Sequence, residues 1–294
     1  MKYKMVFIDV DGTLVNKNGN IAEKDKHAIA RLVNLRVLVV LCTGRVVQAT
    51  KAVIDELGLN TFHVFYDGAF IANPHTKYKL FSKPIDVALV REVVDFSRQN
   101  NIYLGLYTNG ASSPADTTNP FSLTNWSAAI DKDILFSERP NWSDAIHRDF
   151  FNMEPTRVNF DDIAGNKEIL KAEILVNSDE EAMQAKQLKD HFGDRFHYSI
   201  AHSPAFPDME FINLLHPQVS KGAALNELID YWGYPASDII AIGDGLNDIQ
   251  LLEMVGASVA MGNACDELKQ VSNYVTNTIE ENGVATAINF FFPA

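Results

Sequence analysis

The sequence has few cysteines and no long apolar run. Its 294 residues include two cysteines, Cys42 and Cys265, in unrelated surroundings, which excludes a disulfide framework and a cysteine-based metal site. A reducing compartment, the cytoplasm, is therefore the expected location. No apolar stretch reaches the roughly 20 residues that a membrane-spanning helix needs, and the apolar run at the N-terminus is too short for a signal peptide. We expect no membrane partner.

The sequence also has fewer positively charged residues than negatively charged ones. The chain has 25 Lys and Arg against 38 Asp and Glu, a formal net charge of −13. Such a chain repels polyanions, so neither a nucleic acid nor an anionic membrane is an expected partner. Any attraction for a phosphorylated ligand must then be local, from a metal ion, a single lysine or helix N-termini.

The chain does contain enough apolar sequence for a large core, since 47% of its residues are hydrophobic. Short runs that are apolar or nearly so, at residues 5–10, 37–42 and 64–66, alternate with segments of helical periodicity. The same alternation returns after residue 220 and continues to the last predicted helix, residues 283–291. This pattern predicts an α/β fold, a doubly wound Rossmann-like parallel sheet with helices on both faces.

Between these two regions the alternation breaks down. Residues 110–149 are rich in Ser, Pro, Asn and Asp. We therefore predict a core domain from residues 1–83 and 216–294, with residues 84–215 inserted into it as an α+β cap. Strands are expected in the insert at residues 102–107, 173–176, 197–201 and 210–213.

Two polar segments follow the first two predicted strands. Asp9 and Asp11 end the first apolar run. An EF-hand calcium loop is excluded there, because its sixth position requires glycine and this chain has Leu14. Thr43 and Gly44 follow the second run, where a hydroxyl, a backbone N–H and a helix N-terminus can cradle an anion. Alone, this second segment is equally typical of an ordinary helix cap.

Two further segments lie in the second part of the core. Lys221 opens a predicted helix, where its charge opposes the helix dipole unless an anion binds nearby. Asp244, Asn247 and Asp248 follow the strand predicted at residues 239–242. By themselves, these segments are compatible with a solvated lysine and with a glycine-rich turn.

Together the four segments predict one site, because the carboxyl ends of parallel strands meet at one edge of a sheet. Four carboxylates gathered there repel one another unless a cation lies among them. Oxygen donors without histidine or thiolate favour Mg²⁺ over Zn²⁺. A metal, a lysine and a threonine around one aspartate are the groups that phosphoryl transfer requires. The four carboxylates are those of Asp9, Asp11, Asp244 and Asp248.

In this order, the segments resemble the haloacid dehalogenase (HAD) superfamily over the whole chain. Residues 9–13 and 243–248 are the most specific marks. The position of the insert and residues 219–222 resemble the Cof-type subfamily of sugar-phosphate phosphatases. One departure is Asp67, where the family usually has asparagine before Gly-Ala, and we expect it to have little effect on mechanism.

The resemblance implies a magnesium-dependent phosphatase that acts on small phosphate monoesters, such as sugar phosphates or phosphorylated cofactors, with the cap as a lid. It implies that Asp9 is the nucleophile that forms an aspartyl-phosphate and that Asp11 is the general acid and base. Mg²⁺ is expected on the carboxylates of Asp9 and Asp244 and the backbone carbonyl of Asp11. The other implied roles are phosphate binding by Thr43, Gly44, Lys221 and Asn247, and support of the metal's water shell or of Lys221 by Asp248.

Two other functions use the same fold. A phosphomutase shares the four segments but needs clustered basic cap residues for a second phosphate, and the arginines of the insert are scattered. A non-catalytic binding protein is expected to lose one of the acids, and all are present. A hydrolase is therefore preferred, and the sequence leaves its ester substrate and its oligomeric state open. The scattered arginines are Arg91, Arg98, Arg139, Arg148, Arg157 and Arg195.

Overall fold

The computed structural model describes residues 2–109, 124–125, 133–165, 167–203 and 205–293. The strands within these ranges are β1 (Met5–Ile8), β2 (Leu38–Leu41), β3 (His63–Phe65), β4 (Phe70–Asn73), β5 (Tyr78–Ser82), β6 (Gly105–Thr108), β7 (Thr124–Asn125), β8 (Ile134–Ser137), β9 (Thr156–Arg157), β10 (Lys171–Val176), β11 (His197–Ser203), β12 (Phe206–Leu215), β13 (Ile239–Gly243), β14 (Ala257–Ala260) and β15 (Tyr274–Val275). The helices are α1 (Glu23–Asn34), α2 (Val47–Glu56), α3 (Val87–Gln99), α4 (Asp144–Asp149), α5 (Phe160–Ile163), α6 (Asp179–Phe192), α7 (Lys221–Trp232), α8 (Ile249–Met254), α9 (Asp266–Val271) and α10 (Gly283–Phe291).

The core is a parallel sheet in the order β15-β14-β13-β1-β2. β1 is an interior strand, because Met5 pairs with Ile239 of β13 on one side and with Leu38 of β2 on the other. All four residues of β1 are buried, as expected for a continuous apolar run in a parallel sheet. The predicted α/β fold with a parallel core sheet is confirmed.

A small antiparallel sheet that the sequence analysis did not predict follows α2. β3 pairs with β4, β4 with β5, and β5 with β7. Cys42, just after β2, forms an isolated parallel bridge to Val64 of β3. The chain therefore leaves the core sheet and turns back at Tyr66–Gly68, where the sequence indicated one strand and a turn.

The insert contains a mixed sheet in the order β11-β12-β10-β6-β8-β9. Its neighbouring strands are antiparallel except β8 and β9, so the predicted separate inserted sheet is confirmed. The four strands predicted in the insert are present, although their ends differ. β8 and α4 also lie within residues 110–149, for which the sequence analysis predicted no element. Residues 110–123 and 126–132 of that stretch lie outside the described residues.

The core sheet and the inserted sheet belong mostly to different apolar clusters, although the core cluster also includes residues of the inserted sheet such as Leu135. Phe7 and Ile8 belong to the first cluster, and Val93 and Ile174 belong to the second, which packs the inserted sheet against α3 and α6. Two clusters of this kind agree with a core and an inserted cap, and the domain limits near residues 84 and 215 stay a prediction. Over the described ranges, every helix is too short or too polar to cross a membrane.

Candidate active site

Asp9 lies at the carboxyl end of β1, an interior strand of the core sheet. Its backbone N–H donates to the carbonyl of Ile242 on β13 at 3.0 Å, and its side chain is largely buried. Because β2 and β13 flank β1 and run parallel to it, they end beside Asp9. Thr43 and Asp244 therefore reach the same edge of the sheet, as predicted.

Lys221 is the first residue of α7 and is 1% exposed, which rules out a solvated surface lysine. Its Nζ donates to Asp9 Oδ1 at 2.5 Å and to Asp248 Oδ1 at 2.6 Å. Burial lowers the pKa of Lys221, but the carboxylates of Asp248 and Asp9 outweigh burial and raise the pKa well above its ordinary value. The ammonium group therefore stays charged between two buried acids.

The carboxylates of Asp9, Asp244 and Asp248 offer oxygens that lie within 4.8 Å of one another. Burial raises the pKa of Asp244 to about 7, and repulsion from Asp248 adds to this. Burial also raises the pKa of Asp9 well above its ordinary value, although Lys221 opposes the shift. A hard divalent cation fits this set of oxygen donors, because it would offset the repulsion that one ammonium group leaves.

The turn after β13 fixes two of these acids. Asp248 Oδ2 accepts from the backbone N–H groups of Asp244 and Gly245, both at 3.1 Å, and its Oδ1 is occupied by Lys221. Thr13 Oγ1 donates to Asp244 Oδ1 at 2.7 Å. Gly12 has φ +81°, and a Cβ there would lie 2.2 Å from Asp244 Oδ2. Glycine is therefore needed for the turn after Asp9 to approach Asp244.

Asp11 is not part of the cluster of three acids and pairs with Arg45. Its Oδ1 and Oδ2 accept from the Arg45 guanidinium at 2.6 and 2.7 Å, a bidentate geometry that fixes both planes. Burial lowers the pKa of Arg45, but Asp11 outweighs it and raises the pKa. No role for Arg45 was predicted from the sequence. Its position two residues after Thr43, at a strand end, was the available signal.

Asp67 is another site residue that the sequence analysis undervalued. It is almost fully buried and has φ +52°. Its two oxygens accept from the side-chain amides of Asn247 at 2.9 Å and Asn213 at 3.1 Å. A Cβ at Gly44 would lie 2.8 Å from Asp67 Oδ2, so the glycine permits the approach. Asp67 thus positions Asn247 and links the core to β12 of the insert. The feature of the sequence that indicated a special role for this residue was the aspartate itself, because the family usually has asparagine there.

Exchange of Asp67 tests this positioning. Asp67→Ala leaves the buried amide of Asn213 and the half-buried amide of Asn247 without this acceptor and places alanine at positive φ, so we expect a loss of about 1–3 kcal/mol in the free energy of unfolding. Asp67→Asn should change it by less than about 1 kcal/mol, because Asn213 Oδ1 is buried and has no partner among the described residues, so a flipped Asn213 amide can accept from the new side chain. Urea unfolding measures both, and equal losses would show that the charge itself is required.

The site opens into a cavity of about 360 Å³ between the core sheet and the inserted sheet. The inserted sheet supplies the opposite wall, and Asp133 helps to hold it there by accepting from Tyr66 Oη at 2.5 Å and from the Gln48 backbone N–H at 2.7 Å. Lys221 and Asp248 lie behind the cavity wall. The other predicted site residues line it: Asp9, Asp11, Thr43, Gly44, Asp244 and Asn247.

Comparison with a family profile identifies the family of this chain. The profile of the haloacid dehalogenase-like hydrolases matches residues 6–288. The chain belongs to the haloacid dehalogenase-like hydrolase family. The resemblance seen in residues 9–13 and 243–248 is thereby confirmed, including its Cof-type subfamily.

The relatives of this haloacid dehalogenase-like hydrolase cover its full length. Two 5-amino-6-(5-phospho-D-ribitylamino)uracil phosphatases of Bacillus subtilis (strain 168) are similar to it. YwtE is 32% identical over 97% of this chain and 97% of its own length. YitU is 30% identical over 98% of this chain and 97% of its own length. These matches confirm the predicted class of enzyme, a phosphatase of the HAD superfamily.

Solved structures agree with the fold. A Thermotoga maritima protein superposes with a TM-score of 0.78 at 22% identity, covering 98% of this chain and 97% of its own. The HAD subclass IIB sugar phosphatase BT4131 gives a TM-score of 0.74 at 20% identity, with 98% of each chain covered. At these identities the likeness concerns the architecture of core sheet and inserted sheet.

Proposed function

We propose that this chain hydrolyses small phosphate monoesters with Mg²⁺, through an aspartyl-phosphate, an acyl phosphate formed on Asp9. One observation carries the proposal: a buried lysine bridges Asp9 and Asp248, with Asp244 adjacent, where the strand ends face a cavity. A structural ion pair needs one carboxylate. Three acids around one lysine leave an excess of buried negative charge, which suits a bound cation and, through it, a phosphate.

In the first half-reaction, Asp9 is assigned as the nucleophile. Its oxygen forms a bond to phosphorus while the bond from phosphorus to the ester oxygen breaks. Lys221 holds the Asp9 carboxylate in one orientation and offsets its charge as the phosphate approaches. Asp11 gives a proton to the departing oxygen. Since Arg45 binds both oxygens of Asp11, this pair must loosen when substrate enters, so that Asp11 can take up a proton.

In the second half-reaction, water attacks the phosphorus and the bond to Asp9 breaks. Asp11 takes the proton of the water, and inorganic phosphate is released. The ion pair with Arg45 suits the ionised Asp11 that this step requires. Thr43, Gly44 and Asn247 are assigned to the phosphoryl oxygens, with Asn247 oriented by Asp67.

The metal site we propose uses Asp9, Asp244 and the backbone carbonyl of Asp11. The described residues leave the second oxygens of Asp9 and Asp244 free of hydrogen bonds, whereas Asp248 is occupied by Lys221 and two backbone N–H groups. We therefore assign Asp248 to support. When bound, Mg²⁺ supplies positive charge to the phosphoryl oxygens and lowers the repulsion between phosphate and Asp9.

For the substrate, we propose the ester that gives YwtE and YitU their name, 5-amino-6-(5-phospho-D-ribitylamino)uracil. Sugar phosphates are the second candidate class. A cavity of about 360 Å³ suits a small ligand of this kind. The inserted sheet supplies the wall that contacts the leaving group, and we propose that residues 84–215 act as a cap that sets the choice of substrate.

A phosphomutase is less well supported. Such an enzyme needs cations for a second phosphate on the wall of the insert. Among the described residues of that wall the one cation is Lys171, which is paired with Glu173 at 2.9 Å. Insert arginines such as Arg98, Arg157 and Arg195 pair with acids away from the cavity.

Hydrolysis of p-nitrophenyl phosphate tests the proposal. The full-length protein is expected to release p-nitrophenol with Mg²⁺, and removal of the metal with a chelator should lower the rate by at least about 100-fold, because phosphate and acids then repel unscreened. Adding back excess Mg²⁺ should restore the rate. A chelator-treated protein that keeps its rate would overturn the magnesium assignment, and no hydrolysis of any ester in a panel would overturn the phosphatase proposal.

A further inference from the structure

The inserted sheet presents one buried ion pair to the active-site cavity. Lys171 and Glu173 lie two residues apart on β10, so both side chains project from the same face of the sheet, and both line the cavity. Ala172, between them, belongs to the apolar cluster of the insert. Each charged residue is only 4% exposed. The pair therefore lies on the wall opposite Asp9, where the leaving group of a phosphate ester must sit.

Stability does not explain this pair. Taking two charges out of water costs about as much as their attraction returns, and apolar residues of similar size would stabilise the sheet at least as well. Buried and strongly interacting ionisable groups concentrate at functional sites instead. A ligand that uses one of the two charges would account for their presence.

Glu173 is fully engaged within the insert. Its Oε2 accepts from Lys171 Nζ at 2.9 Å, and its Oε1 accepts from Tyr107 Oη at 2.6 Å. His147 Nε2 lies 3.5 Å from the same Oε1. Burial raises the pKa of this carboxyl, but Lys171, His147 and the hydrogen bonds outweigh burial and hold the pKa below its usual range. Glu173 is thus an ionised positioning residue with both oxygens occupied.

Lys171 has N–H donors that no described residue accepts. An ammonium group carries three N–H bonds, and within the described residues Lys171 makes one hydrogen bond, to Glu173. Its Nζ also lies 4.3 Å from the centroid of the Tyr107 ring, which further fixes its position. Because Glu173 balances the charge, the pair suits a neutral acceptor such as a carbonyl oxygen or ring nitrogen better than a second phosphate dianion.

Aromatic and apolar side chains form another part of this wall, beside the polar Ser203 and Asn213. The rings of Phe151 and Phe211 meet edge to face with centroids 5.8 Å apart, and both line the cavity together with Met153. Such walls suit a flat, weakly polar ring, while a few polar groups fix its orientation. A simple polyol has no flat ring to cover these aromatic side chains.

We propose that Lys171, positioned by Glu173 and Tyr107, donates a hydrogen bond to an acceptor on a planar heterocycle of the leaving group, which packs against Phe151 and Phe211. This inference rests on the proposed phosphatase function and narrows its substrate class. The class is phosphate esters whose alcohol part ends in a heterocycle bearing a carbonyl or ring nitrogen.

The test compares two esters that differ by the ring. Initial rates of the full-length protein are measured with 5-amino-6-(5-phospho-D-ribitylamino)uracil and with D-ribitol 5-phosphate, both with Mg²⁺. Lys171→Met keeps the length of the side chain and removes its donors. We expect it to lower the ratio of the two kcat/KM values by about 10- to 100-fold, the range for loss of one charged hydrogen bond. Lys186→Met is the matched control, because Lys186 is an exposed lysine of the same insert paired with Asp190 at 2.5 Å.

The outcomes separate the inference from the proposed function. An unchanged ratio in Lys171→Met, or equal losses with both esters, overturns the inference. If Lys171→Met does not fold, Lys171→Met/Glu173→Gln leaves no unpaired buried charge, and the same fall in the ratio is expected. An unmodified protein that hydrolyses both esters equally well overturns the inference and leaves the phosphatase function standing. One that hydrolyses neither ester nor p-nitrophenyl phosphate overturns the function as well.

Discussion

Asp9→Asn is expected to reduce turnover by about 10⁴-fold or more, because the amide is a poor nucleophile and a weaker metal ligand. The fold should remain, since the two side chains have nearly the same shape. Burial is the main cause of the raised pKa of Asp9, and Asp248 and Asp244 add to it. The metal-free variant should therefore be at least as stable as the unmodified protein, because one of the mutually repelling charges is gone.

Rate measurements with p-nitrophenyl phosphate and thermal unfolding of the same samples check both parts. Asp55→Asn is the matched control: Asp55 is also paired with a lysine, Lys51 at 2.6 Å, but on the surface. It should keep the normal rate. Residual turnover of Asp9→Asn above about 1% of normal would argue against the covalent route. A large loss of stability would show that Asp9 is needed for the fold.

Lys221→Met has the largest expected effect on stability. It leaves Asp9 and Asp248 buried without their cation, and breaking a buried pair in this way costs about 3–5 kcal/mol. Saturating Mg²⁺ should recover part of that loss, because the ion binds the folded state and offsets the charge of Asp9. Turnover should fall as well, since Asp9 loses the group that orients it.

Urea unfolding with and without Mg²⁺ measures this effect, and Lys51→Met is the control, since an exposed pair contributes only about 0–1 kcal/mol. Lys221→Met/Asp248→Asn should be more stable than Lys221→Met alone, because one of the unpaired charges is removed. If Lys221→Met were as stable as Lys51→Met, the buried triad of Asp9, Lys221 and Asp248 would have no part in folding.

The residues at the edge of the core sheet could be predicted from the sequence. Continuous apolar runs mark the parallel strands, and in a parallel sheet the residue after each strand must lie at one common edge. This placed Asp9, Thr43 and Asp244 together before any coordinates were known. Lys221 followed from the charge opposing a helix dipole, a conflict that its contacts with two carboxylates resolve.

The contacts of each side chain depend on the tertiary fold. Asp11 and Arg45 are 34 residues apart and Asp67 and Asn213 are 146 apart, so no local pattern links them. The direction of Asp67 depends on its positive φ, which its residue type merely permits.

The wall of the insert shows the same division. The strand predicted from the sequence begins at Glu173, whereas β10 begins at Lys171. Because side chains alternate along a strand, this extension places both charged side chains on one face. That this face meets the cavity over Asp9 depends on how the inserted sheet packs on the core, through contacts such as Tyr66 with Asp133 and Asp67 with Asn213. Packing between two distant segments of chain depends on the shapes of both surfaces. The local sequence pattern of either segment therefore does not predict how the two will pack.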